Sequence, residues 1–224
     1  MIKNWFKKGK TSRELPEFWN TYAEKFEKDL PENISEIKFV VFDTETTGFD
    51  HDKDRILSIG AVIIRKNAID IKENFEIFLE QTTFNPDTVK IHGLIKNEKF
   101  EKVTEMEALQ QFLGYIENSV LVAHHAGFDK KMINKALERN GLPRLKNRFL
   151  DTAIMYNKTR IFTNFIDQNK VFGLDEIAED YNIELTDRHT ASGDAFITAL
   201  IFLKLLGKIN YNKVSTQKLL KYKY

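Results

Sequence analysis

The stretch Phe39–Gly48, FVVFDTETTG, constrains the fold more than any other part of the 224-residue chain. Phe39-Val40-Val41-Phe42 is an apolar run suited to a buried strand, and Asp43 and Glu45 follow it two residues apart. Period two puts both carboxylates on one face of a strand. Two anions side by side at the end of a hydrophobic strand repel each other and resist losing water. A divalent cation resolves that conflict. Either residue alone could be a solvated strand end, so the rest of the chain must show whether further ligands exist.

Composition narrows the options. Apolar residues make up 42% and aromatics 12%, ample for a core, while 34 Lys and Arg nearly balance 33 Asp and Glu. Global charge therefore argues neither for nor against nucleic acid, and any basic surface must be local. The absence of cysteine excludes disulfides, thiolate zinc sites and cysteine nucleophiles. The N-terminal MIKNWFKKGK has no apolar run behind its charges and does not read as a secretory signal. No stretch approaches the roughly 18 apolar residues of a membrane span. A cytoplasmic protein without a membrane partner is the expectation.

Three segments are expected: an N-terminal helical extension over residues 1–36, a main domain over 37–207 and a basic tail over 208–224. In the first, Phe18, Trp19, Tyr22 and Phe26 follow a helical stripe that Pro16 can open and Pro31-Glu32-Asn33 can end. That helix is expected to lie on the main domain. Residues 37–43, 56–64 and 74–79 read as an antiparallel meander. Short helices are expected near 87–91 and 94–98, and a longer one over 104–116. A strand over 119–124, a helix over 126–140 and a short strand over 149–151 come next, then a helix through Tyr156. Residues 158–170 read as a loop or short amphipathic helix, 173–181 as a helix, and 190–206 as a last long helix stopped by Gly207. Strands first, then strand–helix alternation, predict an α/β domain with a mixed sheet.

Asp129 falls on the inward stripe of the 126–140 helix, and Asp194 lies on the inner side of the last one. His189 stands in the connector just before that helix. Each has an ordinary reading as a cap or a solvated side chain. Together with Asp43 and Glu45 they make four carboxylates and one histidine, a hard donor set favouring Mg²⁺ or Mn²⁺ over zinc. Two such ions, about 3.5–4 Å apart, could share four carboxylates and hold the attacking and leaving oxygens of a phosphodiester. His189, with an ordinary pKa of about 6.5, could take a proton from the attacking water.

The segment Asp43-Thr44-Glu45-Thr46-Thr47-Gly48 resembles the first motif of the DEDD exonucleases, in the branch related to the proofreading subunit of bacterial DNA polymerase III. His124-His125-Ala126-Gly127-Phe128-Asp129 resembles the second motif. His189-Thr190-Ala191-Ser192-Gly193-Asp194-Ala195 resembles the third, in the H-x-A-x-x-D-A form of the DEDDh subclass. Ile91-His92-Gly93 and Phe149-Leu150-Asp151-Thr152 look like the elements between them. The resemblance covers about Lys38–Leu206.

It implies a ribonuclease-H-like fold, with a five-stranded mixed sheet flanked by helices. It also implies 3′–5′ hydrolysis of single-stranded nucleic acid, DNA favoured, releasing nucleoside 5′-monophosphates. By the family pattern Asp43, Glu45, Asp129 and Asp194 hold two ions of Mg²⁺ or Mn²⁺, and His189 is the general base. Thr44, Thr47 and Phe49 would face the terminal nucleotide, with His92 either positioning it or fixing its own loop. Asp151 would be supporting or structural. His125 departs from the family, which commonly has Asn there, and it lies beside the expected substrate groove. A DNA polymerase subunit is the implied protein partner. The alternatives are an RNA-trimming exonuclease, a phosphate-ester hydrolase acting on small nucleotides and a non-catalytic binding module; the last would be marked by a missing metal ligand, and none is missing.

Overall fold

A computed structural model describes residues 14–81, 101–160, 170–210 and 214–222. The expected short helices around 87–98, the basic arm over the first thirteen residues and His92 lie outside them, as does most of the 158–170 segment. In chain order the elements are α1 (Glu17–Glu24), β1 (Phe39–Thr46), β2 (Ile56–Arg65), β3 (Ala68–Leu79), β4 (Lys102–Val103), α2 (Glu105–Ile116), β5 (Val120–Ala123), α3 (Gly127–Arg139), β6 (Phe149–Asp151), α4 (Thr152–Thr159), α5 (Leu174–Asp180), α6 (Ala191–Lys208) and α7 (Thr216–Leu219).

One mixed sheet runs in the order β4-β3-β2-β1-β5-β6, so a sixth, two-residue strand joins the expected five. β1, β2 and β3 form the antiparallel meander. β5 and β6 lie parallel to β1 and to each other. The β2–β3 hairpin turns on Lys66 and Asn67, both at positive φ, the backbone of a two-residue primed turn. That turn extends β3 back to Ala68, well before the expected Asn74, through residues whose mostly exposed side chains carry little strand signal.

Alternation along β1 builds both layers. Val40 and Phe42 pack with Trp19, Phe112, Met132 and Ile133 under α1, α2 and α3. Phe39 and Val41 pack with Met155, Ile177, Ile201 and Phe202 under α4, α5 and α6. Asp43 and Glu45 share the odd parity and face the α6 layer, whereas Thr44 shares the parity of Phe42 and faces α3. β1 runs on to Thr46, past the expected end at residue 43, so Glu45 as well as Asp43 stands within the strand.

The other elements follow local chemistry. Thr104 and Glu107 form a reciprocal capping box that starts α2. Thr190 caps α6 through a 3.1 Å bond from the Gly193 N–H. Gly207 does not stop α6, which continues to Lys208. A helix-interior glycine is only mildly unfavourable, and apolar Leu205 and Leu206 are buried beside it.

The N-terminal helix lies on the domain as expected, with Trp19 and Tyr22 buried. It ends at Glu24 and tightens into a 3₁₀ turn over Lys25–Glu27, short of the expected Pro31. The two terminal segments meet: the Thr216 hydroxyl lies 2.7 Å from the Pro31 carbonyl and 2.9 Å from that of Glu32. Among the described residues no helix is long and apolar enough to cross a membrane.

Tyr22 anchors α1 by chemistry as well as area. Its hydroxyl donates to Asn147 Oδ1 at 2.6 Å and accepts from the Lys146 N–H at 2.9 Å. Tyr22→Phe keeps the ring but leaves both groups unpaired in a poorly solvated place. The expected loss is about 1–3 kcal/mol, read as a lower melting temperature. An unchanged melting temperature would mean that solvent satisfies both groups without the hydroxyl.

Candidate active site

Asp43 and Glu45 present one carboxylate face of β1, and Asp194 reaches them from the first turn of α6. Each offers an oxygen within 4.8 Å of the others. The approach depends on Gly60. It pairs with Asp43 across the sheet and so lies on the same face. A Cβ there would stand 2.2 Å from the Ala191 carbonyl carbon and the Ser192 nitrogen. Only the missing side chain lets the start of α6 settle against β2. Farther along that row Glu76 pairs with Gly60, and its Oε1 accepts from the Ser192 hydroxyl at 2.5 Å. β1, β2 and β3 thus each contribute one residue beneath the N-terminus of α6.

Asp129 comes from the opposite layer, in the first turn of α3, and is buried. Its Oδ1 accepts from the Thr44 N–H at 3.1 Å and from the Thr44 hydroxyl at 2.7 Å. The even-parity residue between Asp43 and Glu45 therefore holds the fourth carboxylate. Burial pushes the Asp129 pKa up to about 7 against the pull of the Thr44 bonds, with Glu45 adding to the rise. Asp43 is driven well above the usual carboxylate range, by burial first and then by Asp129, Glu45 and Asp194. Asp194 is raised by burial, while Arg188 pulls it back down.

Such crowding is unfavourable without a cation. Arg188 supplies one positive charge, donating through Nη1 to Asp194 Oδ2 and through Nε to Asp175 Oδ1. Asp194 Oδ1 is buried without a hydrogen-bond partner. An all-oxygen donor set, three of its members within 4.8 Å and one with an unsatisfied buried oxygen, fits a hard divalent cation.

His189 sits one residue before the Thr190 cap, at φ 63°, close enough to Asp194 to favour its ionised form. The loop that holds it is tight: the Thr190 hydroxyl donates to the Asp187 carbonyl at 2.7 Å. A Cβ on Gly193 would stand 2.1 Å from that same oxygen.

His125 joins β5 to α3 at φ 57°, its ring 4.3 Å from that of His124. His124 is a packed strand-end residue. Its Nε2 lies 3.1 Å from the Phe172 carbonyl and must donate there, so Nδ1 accepts from the Thr152 hydroxyl at 2.9 Å. Burial lowers its pKa to about 3. Asp151 is structural, accepting from the Ala126 N–H at 2.9 Å and capping α4 through the Ala153 and Ile154 N–H groups.

Phe49 is 83% exposed, with its ring 5.9 Å from that of Phe128, which His51 also touches. Thr47 is fully buried, and its hydroxyl donates to Asp54 at 2.7 Å and accepts from the Arg55 N–H. Asp54 also accepts from the Asp50 N–H, so it shapes the loop beneath Phe49. Sequence reasoning missed Asp54, Arg188 and Gly60. Arg188 carried a signal: it is a cation adjoining a histidine and six residues from an inward acid. Gly60 carried none, because a glycine within ILSIGAVII looks like any strand glycine.

Comparison with known proteins places this site in a family. The family model described as Exonuclease, of the RNase T type, matches residues 40–202. A DNA polymerase III of the PolC type from Caldanaerobacter subterraneus subsp. tengcongensis is 34% identical over 173 residues, 77% of this chain. The chain spans only 12% of that relative's length. Escherichia coli exonuclease I in complex with a dT13 oligonucleotide shares the fold at a TM-score of 0.65 and 16% identity, over 78% of this chain and 42% of that one. Pop2p of S. pombe, in its Mg²⁺- and Mn²⁺-bound form, does so at a TM-score of 0.64 and 16% identity, over 81% of this chain and 88% of that one. The family match spans all three acidic motifs, and the fold brings their carboxylates together: this chain belongs to the exonuclease family.

Proposed function

We propose that the chain removes nucleotides one at a time from the 3′ end of single-stranded DNA, releasing nucleoside 5′-monophosphates with the help of two Mg²⁺ or Mn²⁺ ions. The observation that carries this reading is the convergence of Asp43, Glu45 and Asp194 within 4.8 Å, with Asp129 held against the same strand by Thr44. These four carboxylates would hold the ions. Bound there, the ions would neutralise the phosphodiester, favour ionisation of the attacking water and stabilise the leaving oxygen.

The chain's own residues do the remainder. His189, on its taut loop beside Asp194, takes the proton released by the attacking water. The exposed Phe49 ring, backed by Phe128, offers the unstacked terminal base an apolar surface without reading its identity. His125, beside His124 at the start of α3, meets phosphate or base, and His92 either positions the 3′-terminal nucleotide or fixes its own loop. Because the Thr44 and Thr47 hydroxyls are bonded to Asp129 and Asp54, these residues meet substrate chiefly through the backbone they shape.

DNA is preferred over RNA because exonuclease I was solved with a DNA oligonucleotide and the PolC-type relative is a DNA polymerase. The likeness to the PolC-type relative also supports a DNA polymerase subunit as partner.

A length series of 5′-labelled DNA and RNA with Mg²⁺ or Mn²⁺ tests this reading. A descending ladder on DNA supports it, faster shortening of RNA reassigns the substrate, and binding without cleavage rejects it. His189→Ala should lose about 10²–10⁴-fold in rate at neutral pH while still binding Mn²⁺. An unchanged pH–rate profile in that variant would remove His189 as the base.

A further inference from the structure

Arg188 and Asp175 lie outside the four-carboxylate, one-histidine set. We propose that Asp175–Arg188–Asp194 is a positioning relay, in which Arg188 pins one oxygen of Asp194 so that the other stays turned toward the metal. The inference rests on the metal-site reading above and goes beyond it, because it assigns work to two residues that hold no ion.

The geometry argues for positioning over simple charge neutralisation. Arg188 uses two different nitrogens for two carboxylates, Nη1 for Asp194 Oδ2 and Nε for Asp175 Oδ1, the latter at 2.5 Å. A guanidinium held at two points has little rotational freedom, and it passes that constraint to the Asp194 carboxylate plane. Asp194 Oδ1 is left buried and without a partner. A buried carboxylate oxygen with no donor is costly unless a cation completes it. The relay therefore divides the two oxygens of Asp194 between a fixed donor and an open coordination position. Arg188 plays the part taken elsewhere by groups that orient ligands from behind, whose loss typically weakens metal binding about 10–100-fold, and Asp175 holds Arg188 in turn.

The backbone supports the same assignment. Asp187 and His189, on either side of Arg188, both sit at positive φ. Arg188 is thus presented from a short, over-determined turn, while Asp175 projects from the first turn of α5. The Arg188 side chain is 20% exposed and that of Asp175 58%, so the outer member can be changed without opening the core.

A competing role makes the opposite prediction. If Arg188 merely occupied the cation position until an ion displaced it, removing it would tighten metal binding. A Mn²⁺ titration of the full chain, followed by electron paramagnetic resonance of the free ion, separates the two. Arg188→Gln should weaken Mn²⁺ binding about tenfold or more, Asp175→Asn should weaken it less, and Arg188→Lys should recover only part of the loss. Circular dichroism melts confirm that each variant is folded, and Asp175→Asn keeps the test valid should Arg188→Gln fold poorly. Unchanged or tighter binding in the variants overturns the relay alone. A wild-type chain that binds no Mn²⁺ overturns the metal-site reading, and the relay with it.

Discussion

Asp43→Asn is expected to abolish metal-dependent hydrolysis and, in the same variant, to make the metal-free chain more stable. The two effects have one origin. Asp43 is crowded by Asp129, Glu45 and Asp194, and burial adds to the penalty on its charge. Asparagine keeps the shape and removes the charge. The site then lacks one metal ligand, so the rate should fall by about 10³-fold or more, the upper range for removing a preorganised electrostatic group at a reacting centre. Without metal, the same change relieves three like-charge contacts. The expected gain is on the order of 1–2 kcal/mol, or a few degrees in melting temperature. A variant that kept near-wild-type rate, or melted lower in a chelator, would remove Asp43 from the site.

The same crowding fixes the sign of the pH dependence. A carboxylate whose folded-state pKa exceeds its unfolded value binds its proton more tightly in the folded chain. Its contribution is greatest at acid pH and declines as pH rises through the folded value. For Asp129 the window runs from its ordinary value of 3.8 to about 7. In a chelator, the stability supplied by the cluster should therefore fall between pH 4 and 7 in the wild type. The fall should be shallower in Asp43→Asn, because one like charge is gone, and shallower again on adding Mg²⁺ or Mn²⁺. Melts at several pH values, with and without metal, read this directly.

How much of the site was legible depended on whether its physics lay along the chain or across it. The period-two spacing of Asp43 and Glu45 is a property of one strand, and it was readable. Asp129 and Asp194 were readable because each is an acid on an otherwise apolar helical stripe. The parity argument also holds for Thr44, but what it touches depends on which helix covers that face. The bond from the Thr44 hydroxyl to Asp129 therefore appears only in the fold. Arg188 had a local signal beside His189, but its pairing with Asp175 arises only once α5 brings that residue within reach. The ends of α1 and α6 do not follow the Gly and Pro punctuation of the sequence. Gly207 lies inside α6, where tertiary packing overrides its weak helix propensity, and α1 stops at Glu24 well before any proline.

Gly60 is the position where fold and chemistry are least separable, and Gly60→Ala should damage both. The added methyl would stand 2.2 Å from two backbone atoms at the Ala191–Ser192 junction. No rotamer change relieves a backbone contact, so either α6 lifts from β2 or β2 bends away from β1. Overpacking of this kind costs about 1–3 kcal/mol, equivalent to roughly 2–12 °C in a chain of this size. Asp194 rides on α6 and His189 on the connector just before it, and a displacement of about 1 Å at a reacting centre is worth about 10²-fold in rate. Asp43 and Glu45 stay on β1, so the carboxylates would separate and Mn²⁺ binding should weaken with the rate. Gly207→Ala is the matched control. It places the same methyl on the same helix with nothing within 4 Å, and should stabilise by about 0.5–1 kcal/mol at unchanged rate. If Gly60→Ala retained wild-type melting and turnover, α6 would not be seated by that glycine, and the carboxylate cluster would need another explanation for its closeness.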